Sequence, residues 1–319
     1  MYNGKNKGRP VPALRRGGGR GDKSMTILEA RRICEAYYAM TNPGEEDRFR
    51  VTEALDFLIH ETRDPAYMVA LGGIHYEQRA FDLALKYYEM AAEYDSVSAL
   101  VGLGYIWYYG RTGERDYEKA FRYYDRARQL GDLQAAYKVA DMYKNGYYVP
   151  RDMGKYREII ESLYPRVEYV DSVYDPLPEV YTRLAAIRAV EGRGAEALAL
   201  YDKARDFLAR RIQDHPFFGD LNIMKWMIGD IYRLRPFDEV DFGLYDLYFL
   251  LERPVKVGFR FEGEAHTVAS VPEDGAMAVC LDGDTWFRTV DDFFRKAELG
   301  GEHITTLYEE LLNFEVLRA

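Results

Sequence analysis

Two cysteines, Cys34 and Cys280, are all that a chain of 319 residues holds. They lie far apart in sequence, which argues against a disulfide framework and reads as two reduced thiols of a cytoplasmic protein. Histidine is nearly as scarce, at five. None has a second histidine four residues away across a glutamate, the spacing of a helical zinc site. Long apolar runs are missing too. The longest uncharged helical stretch, near 97–110, is too short to span a bilayer. No apolar core follows the basic N-terminus, as a secretory leader requires. There is no Gly-x-Ser-x-Gly elbow and no Walker loop. Gly102-x-Gly104 lacks the third glycine of a dinucleotide loop. Asp282-Gly283-Asp284 lacks the remaining ligands of a calcium loop and reads as a hairpin turn. No catalytic residue, metal site or cofactor is expected.

What is present is tyrosine, 28 residues of it, in a chain that is 48% hydrophobic and 30% charged. That is the composition of a folded globular protein. Charge is uneven. Residues 1–24 carry seven Lys or Arg against one Asp, while the whole chain is −10, which leaves −16 on residues 25–319. The body should repel nucleic acid and anionic membrane, and the tail could attract either. Gly- and Arg-rich, with few apolar residues, the tail is expected to be disordered. Three readings of it stay open: an RNA-binding segment, a solvated leader, or a stretch preceding the true start at Met25.

Residues 98–131 organise the rest. Ser98 to Tyr109 is uncharged. Leu103 and Trp107 share one helical face, and Val101, Tyr105 and Tyr108 another, so the helix needs neighbours on two sides. Gly102 and Gly104 each cost about 1 kcal/mol relative to Ala in a helix, which makes sense where a neighbour approaches too closely for a Cβ. Gly110 to Arg115 is a turn, and Asp116 an N-cap for a second helix, Tyr117 to Leu130, packed through Ala120, Tyr123, Tyr124 and Ala127. Gly131 ends it. The pattern recurs. Leu71 precedes Leu103 by 32 residues, and Ala84 precedes Ala120 by 36. Gly110 to Asp116 and Gly146 to Asp152 are both six, and Leu184 to Ala197 repeats the 13 of Leu71 to Ala84. Self-similarity at a nearly fixed period is the mark of a solenoid.

The pattern L-G-x-x-aromatic-x-x-G, then D-x-x-K-A-x-x-x-Y, then A and G, resembles the Sel-one-like repeat of the tetratricopeptide superfamily. Residues 98–131 and 135–161 carry it, while 67–95 and 181–208 look more like plain tetratricopeptide units. His75 stands where that family places an aromatic, and Val139-Ala140 replaces Leu-Gly. The resemblance covers roughly half the chain. It implies a mainly α fold, a right-handed solenoid of helix-turn-helix pairs. It also implies a scaffold or adaptor that binds a protein or peptide on its concave face, and not an enzyme.

The flanks complete the expected organisation. Residues 27–40 and 46–60 read as a capping helix pair, with Glu45, Glu46 and Asp47 at a helix start. Residues 162–180 hold three prolines and read as an irregular linker within an array that runs over 25–253. Ile228-Gly229-Asp230-Ile231-Tyr232 repeats the Leu-Gly signature, and a helix is expected near Asp238 to Leu251. From residue 254 to 319 the period becomes two. VKVGFRFEG, AHTVASV, AMAVCL and DTWFRT read as antiparallel strands with turns at Gly263, Asp274-Gly275 and Asp282-Gly283. A helix capped by Thr289, a helix from Ile304 to Asn313 and an edge strand at Phe314 to Leu317 complete a small C-terminal α+β module.

The histidines read as structural: His75 in a packing slot, His60 at a helix C-terminus, His266 in a strand, His303 near a helix start. Trp107, Tyr143, Tyr88 and Tyr124 read as core. In tetratricopeptide-like stacks the first helix of each repeat lines the concave side. With Leu103 aligned on Val139, that surface takes Tyr105 and Tyr108 from one repeat and Tyr137, Asp141, Lys144 and Asn145 from the next. Tyr76 corresponds to Tyr108 one repeat earlier. Tyrosines bury much area at little entropy cost and still hydrogen-bond, which suits them as anchors. The competing reading is that these rings fill gaps between adjacent first helices. Two other functions stay open: an enzyme with its site at the seam between repeats and C-terminal module, and RNA contact through the tail.

Overall fold

The structure, a computed structural model, describes residues 25–40, 42–167, 176–214, 216, 218–239 and 241–317. The basic tail and its three readings lie outside these residues. The chain divides between Ser96 and Val97 into two units, each compact by itself. The architecture is mainly α, of the tetratricopeptide-like solenoid class, with a small strand-containing C-terminal region.

The first unit holds α1 (Ile27–Tyr38), α2 (Glu45–Thr62), α3 (Pro65–Glu77) and α4 (Phe81–Ala92), each packed on the next in sequence. Local chemistry fixes where they start. Thr26 and Glu29 form a reciprocal capping box on α1. Asp64 caps α3, which opens on Pro65, where a missing N–H costs nothing. Within the α3–α4 pair, a Cβ added at Gly72 would lie 2.7 Å from the Tyr88 ring, so the glycine is what lets the two helices touch.

The second unit begins with three further pairs: α5 (Val97–Tyr109) with α6 (Tyr117–Gln129), α7 (Leu133–Asn145) with α8 (Met153–Val167), and α9 (Leu177–Val190) with α10 (Gly194–Asp214). Asp116, Asp132 and Asp152 each accept a hydrogen bond from the backbone N–H three residues on, and Asp116 and Asp152 start the second helices α6 and α8 at the same point of their repeats, while Asp132 starts the first helix α7. Gly104 faces Tyr124 as Gly72 faces Tyr88, more tightly still: an added Cβ would lie 2.3 Å from the ring. In the α7–α8 pair Ala140 and Tyr156 take the corresponding positions, both buried.

The expected linker over 162–180 is narrower than its prolines suggest. Residues through Val167 continue α8, with Pro165 inside its last turn, and α9 starts at Leu177. A proline near a helix C-terminus removes a single backbone bond and has little helix left to break.

Beyond α10 come α11 (Phe218–Leu234), a 3-10 turn (Leu244–Asp246) and the one-turn α12 (Leu247–Leu250). The helix expected near Asp238 to Leu251 is thus only its last part. Gly243 is extended, and its N–H donates to the Asp246 carboxylate at 2.8 Å, so the helical backbone begins at Leu244. Upstream, Phe237 packs on Tyr232, Phe242 and Phe249, so side-chain contacts hold that stretch.

The C-terminal sheet has strand order β4-β3-β2-β1-β7, antiparallel throughout, from β1 (Val255–Phe261), β2 (Glu264–Glu273), β3 (Ala276–Leu281), β4 (Thr285–Phe287) and β7 (Leu312–Val316). Its hairpin turns, Glu262-Gly263, Asp274-Gly275 and Asp282-Gly283, have positive φ at both central residues. That matches the twist of the flanking strands and favours Gly, Asn or Asp, with Glu262 the exception. Between β4 and β7 lie α13 (Val290–Lys296), capped by Thr289, and the two-residue strands β5 (Glu298–Leu299) and β6 (Glu302–His303). The helix expected from Ile304 to Asn313 is absent. His303 bonds the Thr305 hydroxyl, and Thr306 donates to the His303 carbonyl, so side chains compete for the groups a helix would use. The stretch turns, and Leu312 onward joins the sheet. One buried cluster runs from Ala136 and Tyr137 of α7 through α8–α12 to the inner face of the sheet and Leu311.

Candidate partner-binding face

Three first helices of the second unit, α5, α7 and α9, carry a connected row of polar and aromatic side chains. On α7 the residues are Gln134, Lys138, Asp141 and Asn145, at the i, i+4, i+7, i+11 spacing of one helical face. On α5 they are Tyr105 and Tyr109, one turn apart, their rings nearly parallel at 5.8 Å. Gln134 donates from its side-chain amide to the Tyr105 oxygen at 3.0 Å. The Lys138 ammonium donates to the Tyr109 oxygen at 3.4 Å. That ammonium also lies 5.0–5.8 Å from the ring centroids of Tyr105, Tyr108, Tyr109 and Tyr137. Four rings around one cation is favourable cation–π geometry.

Arg183 of α9 closes the next gap. It holds Asp141 through two bonds, 2.8 and 2.5 Å, and stacks its guanidinium 4.6 Å from the Tyr137 centroid. Burial disfavours charge on that guanidinium, but Asp141 outweighs it and raises its pKa. Further along, Arg211 of α10 bridges Glu179 of α9 and Asp220 of α11.

The sequence-derived candidates fall in different places. Tyr105 is half-buried in this row, its hydroxyl pushed up by burial and pulled back by Lys138 and by the Tyr137 hydroxyl against it. Tyr108 turns the other way, into Tyr117, Tyr124 and Tyr147, where burial and then Asp141 raise its pKa. Tyr137 is core, 3% exposed. Asp141 is held by Arg183. Lys144 is exposed and lies 5.4 Å from the buried Tyr156 ring. Asn145 is exposed at the end of α7. Tyr76, in the first unit, is half-buried and packs edge-on against Phe81 at 5.2 Å. Tyr109, Lys138, Gln134 and Arg183 were not singled out from the sequence. The signal for Tyr109 was present, one turn after Tyr105. The signal for Lys138 was its place between Gln134 and Asp141 on one face.

The described histidines pack or pair. His75 is buried and stacks on Tyr87 at 5.6 Å. His266 meets Asp282 at 2.8 Å, and His60 meets Glu61 at 3.0 Å. Cys34 and Cys280 are free and buried. Among the described residues no cluster of three or more His, Cys, Asp or Glu is placed to hold a metal, and no helix is long and apolar enough to cross a membrane. A hollow of about 360 Å³ lies beside Tyr164, Arg188, Arg193, Glu196 and Lys203. Its arginines are already engaged, Arg188 by Glu161 and Glu191, and Arg193 by Glu196.

Comparison with known proteins gives the Sel1 repeat over residues 66–93, 97–132 and 133–155. No curated protein matches the chain. Among solved structures, a Sel1 repeat protein from Oxalobacter formigenes is similar at 21% identity and a TM-score of 0.46, over 66% of this chain and 80% of that one. The protein c5321, a protective antigen of uropathogenic Escherichia coli, is similar at 18% identity and a TM-score of 0.47, over 67% of this chain and 50% of that one. YrrB, a tetratricopeptide-repeat protein with an unusual peptide-binding site, is 16% identical with a TM-score of 0.35, over 58% of this chain and 94% of that one. Repeats of the Sel1 type generally form protein-interaction scaffolds. This chain therefore carries three Sel1 repeats in succession between residues 66 and 155.

Proposed function

We propose that the second unit is a scaffold that binds an extended segment of a partner protein across α5, α7 and α9. The observation that carries this reading is Tyr109. It is 40% exposed, face to face with Tyr105, beside the Lys138 ammonium. An aromatic ring held rigidly by a stacked neighbour loses little entropy on binding and offers both area and a hydroxyl. The row continues through Gln134 and Asp141 to Arg183, so an extended peptide would find polar groups along its length.

The test is a random-sequence peptide library panned on the intact chain, followed by Tyr109→Ala. Binding of the selected peptides should weaken at least about thirtyfold, roughly 2 kcal/mol, with an unchanged melting temperature. Selected peptides that bind the variant as well as the parent would place the site elsewhere.

A further inference from the structure

Resting on the reading above, we infer that this face takes an acidic segment, with a side-chain carboxylate of the partner seated on Lys138 and Tyr109. The argument is a count of donors and acceptors. Lys138 has three N–H groups, and its hydrogen bond goes to the Tyr109 oxygen. Tyr109 accepts there, which leaves its own O–H proton to give. Tyr105, stacked on Tyr109, accepts from Gln134. The Lys138 ammonium and the Tyr109 O–H therefore stand side by side with donors to spare and no acceptor bonded to those donors among the described residues.

The charge count agrees. Among the described residues no carboxylate lies within ion-pair distance of Lys138. Asp141, one turn along α7, is held in a two-pronged pair with Arg183. Rings on several sides keep water from surrounding the ammonium, and charge-assisted bonds gain strength where water is thinned. The body of the protein is strongly acidic. A locally cationic, donor-rich spot on such a body discriminates: it accepts a carboxylate placed at one position and repels acidic chains elsewhere.

A side chain, not a chain end, is the source that fits. The row runs past Lys138 in both directions, to Tyr105 and Tyr109 on α5 and to Arg183 on α9, which suits a segment passing through.

The experiment uses the full chain and the library-selected peptides. Each is resynthesised with Asp and Glu changed to Asn and Gln, and separately with its C-terminus amidated. Affinities are measured by fluorescence anisotropy on the parent protein and on Lys138→Met. The acidic peptides should bind at least about tenfold more tightly than their neutral versions to the parent, and nearly equally to Lys138→Met. Amidation should change little. Peptides that need Tyr109 but are indifferent to their own carboxylates or to Lys138 overturn this inference and leave the peptide-binding reading standing. Loss of binding on amidation overturns it by moving the carboxylate to the chain end. Peptides indifferent to Tyr109 overturn both. Because the neutral peptides probe the seat on unmodified protein, a poorly folded Lys138→Met does not stall the test.

Discussion

The Lys119 ammonium lies 3.8 Å from the centroid of the Trp107 ring. One repeat later the Lys155 ammonium lies 4.9 Å from that of Tyr143. Each lysine also gives its backbone N–H to the capping aspartate three residues before it, Asp116 or Asp152, at 2.9 Å. One residue thus starts the second helix of a repeat and clasps the first. Lys119→Met keeps the aliphatic stem and the N–H and removes the charge. It should lower stability by about 0.5–1 kcal/mol in urea titration, the worth of an exposed cation–π pair. Asp116→Ala should cost about 1 kcal/mol through the lost cap. An unchanged midpoint for Lys119→Met would show that the ring contact adds nothing to the cap.

Gly104 makes a sharper prediction. In an ordinary helix Gly→Ala stabilises by about 1 kcal/mol. Here the new Cβ would fall 2.3 Å from the Tyr124 ring, and Tyr124 is fully buried. Gly104→Ala should therefore destabilise by about 1–3 kcal/mol despite its better helix propensity. Adding Tyr124→Leu should recover part of that loss, because the ring is what the methyl meets. If the alanine variant melts higher than the parent, the close approach of α5 and α6 is not as described.

Burial, and then Lys86, lowers the pKa of His75. Its Nδ1 is buried and has no hydrogen-bond partner among the described residues. The folded pKa therefore lies below the unfolded value of about 6.5. Stability from this group is complete above the unfolded value and is lost as pH falls from there toward the folded one. His75→Phe keeps a ring to stack on Tyr87 and removes both the orphaned nitrogen and the titration. It should gain about 1 kcal/mol at neutral pH. Its stability should also fall less than the parent's between about pH 6.5 and 5. Parallel pH profiles for the two proteins would count against this assignment.

Glu179, Arg211 and Asp220 place two carboxylates on one guanidinium, with side chains only 12%, 14% and 10% exposed. The second oxygen of Glu179 is buried without a hydrogen bond among the described residues. Burial works against the Arg211 charge, and Glu179 and then Asp220 restore it. Arg211→Met would leave two carboxylates together with no cation and should cost about 3–5 kcal/mol. Glu179→Gln keeps an oxygen for Arg211 and removes the surplus charge, so its cost should be far smaller. Equal losses for the two variants, read by chemical denaturation, would mean that charge balance is not what holds α9, α10 and α11 here.

Much of this was legible in the sequence, for definite reasons. Leu-Gly signatures and Asp-x-x-Lys caps are short-range patterns whose physics is local, so the offsets that reveal the helix pairs also set their boundaries. The C-terminal hairpins were legible because Asp-Gly turns allow few conformations. The stretches before α12 and after β6 were not, because aromatic packing around Phe237 and side-chain bonds at His303 override an apparently helical pattern. The binding face was legible only to within a residue. Helical periodicity places Tyr105, Tyr108 and Tyr109 on neighbouring strips, and which strip faces outward depends on how α6 and α7 pack against them.

That one-residue ambiguity gives the last prediction. Tyr108 packs against Tyr117, Tyr124 and Tyr147, with centroids 5.6, 6.3 and 6.0 Å away. Tyr117 and Tyr147 themselves stack at 4.4 Å, so Tyr108 closes a cluster that joins the start of α6 to the turn after α7. Tyr109, its neighbour, is 40% exposed. Truncating a ring inside a packed cluster costs about 3–5 kcal/mol, whereas substitution at an exposed ring is usually worth less than about 1 kcal/mol. Tyr108→Ala should therefore lower the melting temperature sharply and weaken peptide binding only through loss of folded protein. Tyr109→Ala should melt with the parent and lose binding directly. The pair is measured together, melting by circular dichroism and affinity on the fraction that remains folded. Should Tyr109→Ala be the unstable variant and Tyr108→Ala the one that loses its ligand, then Tyr108, not Tyr109, faces the partner.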